Sequence, residues 1–294
     1  MNSKYSSKIA LGTAQFGYNY GIANKNGRVK TSEIRKILEY AYSIGVDTID
    51  TAQVYEDCEE RLGRIGLRNF KVITKLPVTE PKKNIQNWVF DSFNLSLKKL
   101  RLINAYGLLV HNTSYLLDKK IGKELYNSLL KLKKKGKIEK IGISVYSIKE
   151  LDEILNNYEM DIILAPFNVF DQRILKKNYL KKLRKKNIEI YTRSAFLQGL
   201  LIMKERERPK KFDRWKKLFN LWHKYLIKLK KSPIEVCLNF IFSIDSIDKT
   251  IIGVDNFSQF KQITNKRKLF KFNYKKFNSN REINLINPSK WHQI

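Results

Sequence analysis

Three short apolar runs in this chain each end in an ionisable side chain: TIDTAQVY at Asp50, KVITKL at Lys75 and YGLLVHN at His111, with Tyr55 a few residues beyond Asp50. Singly, each has an ordinary structural use. Asp50 could cap the loop after its strand, Lys75 could snorkel, His111 could be a satisfied core histidine, and Tyr55 could pack at a helix start. Jointly they call for another explanation. In a parallel barrel the carboxyl ends of the strands converge on one face, so polar residues at the ends of separate strands meet although distant in sequence. A carboxylate, a phenol, an ammonium and an imidazole gathered there are the parts of a catalytic site.

The elements that must position them follow from the texture of the chain. Short aliphatic or β-branched runs alternate with longer amphipathic stretches, the signature of successive βα units. Eight strands are expected: 8–13, 47–51, 71–76, 105–111, 140–144, 161–167, 189–194 and 250–254. Seven close on a polar residue, at Thr13, Asp50, Lys75, His111, Ser144, Asn168 and Ser194. A doubly wound sheet would instead show a glycine-rich phosphate turn, and neither GxGxxG nor a P-loop is present. The fold class expected is therefore α/β, a (β/α)8 TIM barrel, which typically needs about 250 residues. No Ser/Gly-rich linker divides the chain, so residues 1–294 are expected to form a single domain. Between the strands, SEIRKILEYAYSIG is a helix for which Ser32 or Thr31 can cap the first turn and Gly45 close the last. PIEVCLNFIFS is a buried helix starting at Ser232-Pro233.

Composition narrows the partners. Lys and Arg number 58 against 28 Asp and Glu, a formal charge of +30. The lysines are spread through nearly every expected helix and no nucleic-acid motif accompanies them, so specific nucleic-acid binding is not expected. No apolar run reaches the roughly 18 to 20 residues of a membrane span, and the start has no apolar stretch of signal-peptide length. Two cysteines, Cys58 and Cys237, form no CxxC pair, and the three histidines do not cluster, so neither disulfide nor metal site is indicated. A cytoplasmic protein is expected.

The chain resembles the aldo-keto reductase family through GTAQFG (12–17), DTIDTAQVY (47–55), KVITKLP (71–77), LLVHN (108–112), KIGISVYS (140–147), RSAFLQGLL (193–201) and IIGVDNFSQF (251–260). The resemblance runs nearly end to end, and is strongest to a bacterial branch with an LGTAQFG-type opening that is often associated with sugar or polysaccharide modification. It implies an NAD(P)-dependent oxidoreductase that transfers a hydride between a nicotinamide and an aldehyde, a ketone or the matching alcohol, with a small carbonyl or sugar-related substrate. Tyr55 is then the proton donor. A free tyrosine titrates near 10, so a cation favouring its ionised form is needed, which Lys75 can supply. Asp50 can anchor Lys75, and His111 can orient the carbonyl oxygen. An alternative is a nucleotide-binding regulatory or interaction barrel with little catalysis.

For the cofactor, the resemblance implies that Gly12, Thr13, Ala14, Asp50 and Ser144 border the nicotinamide end. Arg193, Ser194, Phe196 and Gln198 border the nicotinamide and pyrophosphate. The asparagine that often follows the serine is Val145 here, and the usual strand-six glutamine is Leu164, so Asn168 is a substitute contact for the carboxamide. Gly253, Val254 and Asn256 resemble the adenosine-phosphate loop, before a helix whose N-terminus suits an anion; the plainer alternative is a strand-to-helix turn. At the position where an arginine commonly grips the 2′-phosphate stands Gln259, with Lys261 and the positive field as substitutes. NADPH is expected, with NADH as the alternative. Phe16, Tyr18, Tyr20, Trp88, Tyr146 and Phe170 are candidate pocket aromatics, each also at home in a core, and Asp171 and Arg173 are expected to form a structural ion pair. The segment from Phe270 to Ile294 either drapes over the barrel mouth or is partly disordered. A monomer or small homo-oligomer is expected.

Overall fold

The computed structural model describes residues 5–67, 69–79, 84–265 and 268–294. Its strands are β1 (Ile9–Gly12), β2 (Thr48–Asp50), β3 (Lys71–Lys75), β4 (Ala105–Val110), β5 (Ile138–Ser144), β6 (Ile162–Pro166), β7 (Glu189–Arg193) and β8 (Lys249–Gly253). They pair in parallel in sequence order and close through β1 and β8, giving the eight-stranded α/β barrel expected from the sequence.

Side chains alternate between the two faces of a strand, and this positions the site. The barrel interior is filled by Ile73, Leu109, Ile162, Leu164 and Tyr191, with Tyr106 and Ile251 packed against them. One alternation further along the same faces come Lys75 after Ile73, His111 after Leu109, Arg193 after Tyr191 and Gly253 after Ile251. The packed interior thus forms the floor on which the polar rim stands. At the amino ends of the same strands, charges are paired. Lys249 bonds Asp47, Lys140 lies 3.4 Å from Glu189, and the Tyr106 hydroxyl donates to Glu189 at 2.6 Å.

The larger core lies between strands and helices. The helix Thr31–Ser43 buries Ile34, Ile37, Leu38 and Ala41, the three-and-four spacing of one helical face. The expected cap differs: Lys30 occupies the cap position, and Thr31 inside the helix accepts from Arg61 at 3.0 Å. Gly45 ends that helix at a φ of 82°. The helix Pro233–Phe242 begins with a capping box, in which Ser232 accepts from the Glu235 N–H and the Glu235 carboxylate accepts from that of Ser232. Its residues Val236 to Phe242 are all buried. Both cysteines are buried and unpaired.

The segment from Phe270 to Ile294 packs on the flank of the barrel, and none of its residues lines the cavity at the carboxyl ends of the strands. Phe277 packs edge-on to Trp222 and stacks on Phe170, while Trp291 meets Phe212 edge-on. The Ser279 N–H donates to the Phe170 carbonyl at 2.9 Å, and Asn280 accepts from the Gln172 N–H at 2.8 Å. Among the described residues no helix is long and apolar enough to cross a membrane.

Candidate active site

At the carboxyl ends of the strands lies a cavity of about 500 Å³, within the range of small-molecule sites. Asp50, Tyr55, Lys75 and His111 all line it. The Lys75 Nζ donates to Asp50 Oδ1 at 2.6 Å and to the Thr51 carbonyl at 2.9 Å, and both side chains are almost wholly buried. The same ammonium stands 5.4 Å from the centre of the Tyr55 ring.

Local structure explains this placement. Thr13, at the end of β1, donates its hydroxyl to the Asp50 carbonyl at 2.9 Å, tying the ends of β1 and β2. Gly17 allows the short helix Ala14–Gly17 to sit directly on the turn that carries Tyr55, since a Cβ there would come within 1.9 Å of the Tyr55 carbonyl oxygen. Arg61 donates to the carbonyls of Phe16 and Val29, closing the loop that borders the mouth. Buried Glu59 accepts from Thr74 at 2.6 Å and so braces the strand end next to Lys75. None of Gly17, Glu59 and Arg61 was singled out from sequence. The glycine lay inside a quoted motif, whereas the partners of Glu59 and Arg61 are too distant for any local pattern.

Electrostatics sets the proton inventory. Burial pushes the Asp50 carboxyl up, and the Lys75 ammonium pulls against it. The Tyr55 phenol is also held well above its ordinary 10, by burial first and then by Asp50 and the Tyr20 and Tyr18 phenols. The Arg193 guanidinium pulls the other way, and burial outweighs it. Tyr55 is therefore a neutral hydroxyl, able to donate. His111 is pushed down to about 3, by burial and then by Lys75 and Arg193, so its ring is neutral at physiological pH. Its Nδ1 is buried without a partner among the described residues.

Gly12, Thr13, Ala14, Ser144, Arg193, Ser194, Phe196, Gln198, Gly253 and Gln259 also line the cavity. The Arg193 guanidinium lies 4.1 Å from the Tyr146 ring centre and donates to the Val145 carbonyl at 3.3 Å. After β7 the backbone enters the left-handed region at Ser194, Leu197, Gln198 and Gly199, an unusual concentration for residues other than glycine. Gln198 reaches Tyr20 across the mouth at 3.3 Å.

Three expected contacts lie elsewhere. Asn168 is wholly buried, accepts from the Phe170 and Asp171 N–H groups and donates to the Ser194 carbonyl, so it shapes the rim without lining the cavity. Val254 is in the core. Asn256 caps the helix Phe257–Thr264 through the Gln259 N–H. Of the aromatics, Tyr18, Tyr20 and Tyr146 line the cavity, whereas Phe16, Trp88 and Phe170 are core residues. Asp171 and Arg173 form the expected ion pair at 2.7 Å. Asp255 lines the cavity and was not singled out.

The sequence profile of the aldo/keto reductase family matches residues 8–285. Curated relatives include "Oxidoreductase sirO" of Leptosphaeria maculans, 27% identical over 70% of this chain and 65% of that protein. Another is the glyoxal reductase of Bacillus subtilis, 27% identical over 62% of this chain and 63% of that protein. Both matches thus take in a little less than two thirds of the relative's length. Among solved structures, an aldo-keto reductase from Bacillus halodurans in its holo form superposes with a TM-score of 0.70 at 17% identity, covering 87% of this chain and 85% of that one. The glycerol dehydrogenase of Gluconobacter oxydans gives 0.67 at 22% identity, covering 96% and 92%. At these identities the structural likeness is one of fold.

Proposed function

This chain belongs to the aldo/keto reductase family, and on that premise we propose that it is a nicotinamide-dependent oxidoreductase of an aldehyde, a ketone or the matching alcohol. The observation that carries this reading is the buried Lys75–Asp50 pair at 2.6 Å beneath the Tyr55 ring, beside a neutral His111.

The residues present fit a dinucleotide. One cavity runs from these four side chains past Ser144 and Arg193 to Gly253 and Gln259. Ser144, Arg193, Ser194 and Gln198 would hold the nicotinamide and pyrophosphate portions, and Gly253 and Gln259 the adenosine portion. When bound, the nicotinamide gives or takes the hydride. The chain's own part is proton transfer and orientation. Tyr55 gives its hydroxyl proton to the carbonyl oxygen on reduction and recovers it on oxidation. Lys75 offsets the charge left on the phenolate, and Asp50 keeps Lys75 in place. His111 donates a hydrogen bond to the same oxygen, polarising it before the proton moves.

Tyr18, Tyr20 and Tyr146 give the mouth flat apolar faces with polar tips, which suits a sugar-related carbonyl. A reducing compartment suits the two buried thiols, so we place the protein in the cytoplasm, as a monomer or small homo-oligomer.

Tyr55→Phe tests the mechanism. Turnover is expected to fall by about 10² to 10⁴, the usual share of a general acid, with dinucleotide binding retained. Full activity in that variant would overturn the assignment. A protein whose dinucleotide binding is intact but which turns over no aldehyde, ketone or alcohol in a broad screen would instead be a binding barrel.

A further inference from the structure

The far end of the cavity lies beyond β8, at the start of the helix Phe257–Thr264, and its side chains carry a definite sign. Asp255 lines the cavity there. Among the described residues its carboxylate meets no cation; its side-chain partner is Gln259, whose Nε2 donates to it at 3.2 Å. The helix N-terminus is also occupied by the protein itself. The Phe257 N–H donates to Glu33 at 3.0 Å, the Gln259 N–H to Asn256 at 2.9 Å, and the Asp255 N–H to the Gln259 side chain at 2.9 Å. Three N–H groups at this terminus, which the sequence suggests for an anion, are thus taken by the protein's own side chains.

NADH and NADPH differ by one phosphate on the adenosine ribose, which brings about −1.5 to −2 of charge. A site for that phosphate needs cations or free N–H groups. Here a carboxylate stands instead: Asp255 meets no cation among the described residues, and Glu33, paired with Lys36 at 3.0 Å, takes the Phe257 N–H beside it. Lys261, the expected substitute cation, lies over the Phe257 ring and is absent from the lining. An acidic side chain in this role suits a free ribose hydroxyl, to which it is a hydrogen-bond acceptor, and repels a phosphate.

We infer that this chain selects NADH over NADPH, with Asp255 accepting a hydrogen bond from the adenosine ribose hydroxyl and repelling a phosphate in its place. The inference rests on the dinucleotide reading above and reverses the coenzyme expected from bulk charge. The overall +30 charge attracts both coenzymes, NADPH more strongly, but that field is screened within about 8 Å at physiological ionic strength, whereas Asp255 lies in the cavity wall.

The test is fluorescence titration with NADH and with NADPH at one physiological ionic strength, for the wild type, Asp255→Asn and Gln259→Arg. NADH is expected to bind the wild type tighter by about tenfold or more, with the ratio narrowed in Asp255→Asn and moved furthest toward NADPH in Gln259→Arg. NADPH binding as tightly as NADH to the wild type would overturn the inference. So would an unchanged ratio in Asp255→Asn, a near-isosteric variant whose fold is checked by circular dichroism. Binding of neither coenzyme to the wild type would overturn the reductase reading itself, and this inference with it.

Discussion

The two ends of the barrel use the same strands and similar side chains to opposite effect. At the amino end, Asp47, Lys140, Glu189 and Lys249 are partly exposed and joined in pairs, and the Tyr106 hydroxyl is bonded to Glu189. At the carboxyl end one ion pair is almost wholly buried, the His111 Nδ1 has no partner among the described residues, and the Arg193 guanidinium rests on an aromatic face. Polar groups that are satisfied where water can reach them contribute modestly to stability. Polar groups buried and left incomplete are destabilising by themselves and are held in place by the packed floor beneath.

Removing half of the buried pair should break this contrast most sharply. Asp50→Asn leaves the Lys75 ammonium buried without its counter-charge and should lower stability by about 3 to 5 kcal/mol in denaturant titration, while Asp50→Leu combined with Lys75→Met should recover much of the loss. A graded effect, absent at neutral pH and growing with acidity, follows from His111. Its folded pKa of about 3 lies below the ordinary 6.5, so between those values the unfolded chain binds a proton that the folded ring refuses. Stability should therefore be complete above 6.5 and decline as pH falls, by up to about 1.4 kcal/mol per pH unit from this group. His111→Gln should flatten the dependence of Tm on pH across that window. The smallest effect belongs to the amino end: Tyr106→Phe should cost about 1 kcal/mol or less and leave turnover unchanged, because Glu189 keeps Lys140.

The barrel was legible because each strand is a short apolar run and each run ends in a polar residue. A side chain one alternation beyond an interior residue, such as Lys75 beyond Ile73 or His111 beyond Leu109, must emerge at the rim. What sequence could not separate was a polar residue facing the cavity from one turned back on its own backbone. Asn168 and Asn256 follow their strands much as Ser144 and Ser194 close theirs, yet both close local turns, a habit of short amides. The aromatics divide in the same way, since Phe16 and Tyr18 are neighbours in sequence and only their packing distinguishes core from mouth. No local pattern marks Asp255, because its setting depends on Gln259 and on Glu33, a residue far away in the chain that takes the first N–H of the next helix.

The aromatic cluster around Phe277 bears on how the chain is made. Phe170, Phe219 and Trp222 are completed by a ring from the last part of the sequence, and the loop after β6 is bonded to Ser279 and Asn280. Synthesis delivers the chain from its N-terminus. The eight strands, the last of which ends at Gly253, can therefore all have emerged while this flank of the barrel still shows its aromatic surface to solvent, a patch that invites chaperones or association until residues 277–280 follow.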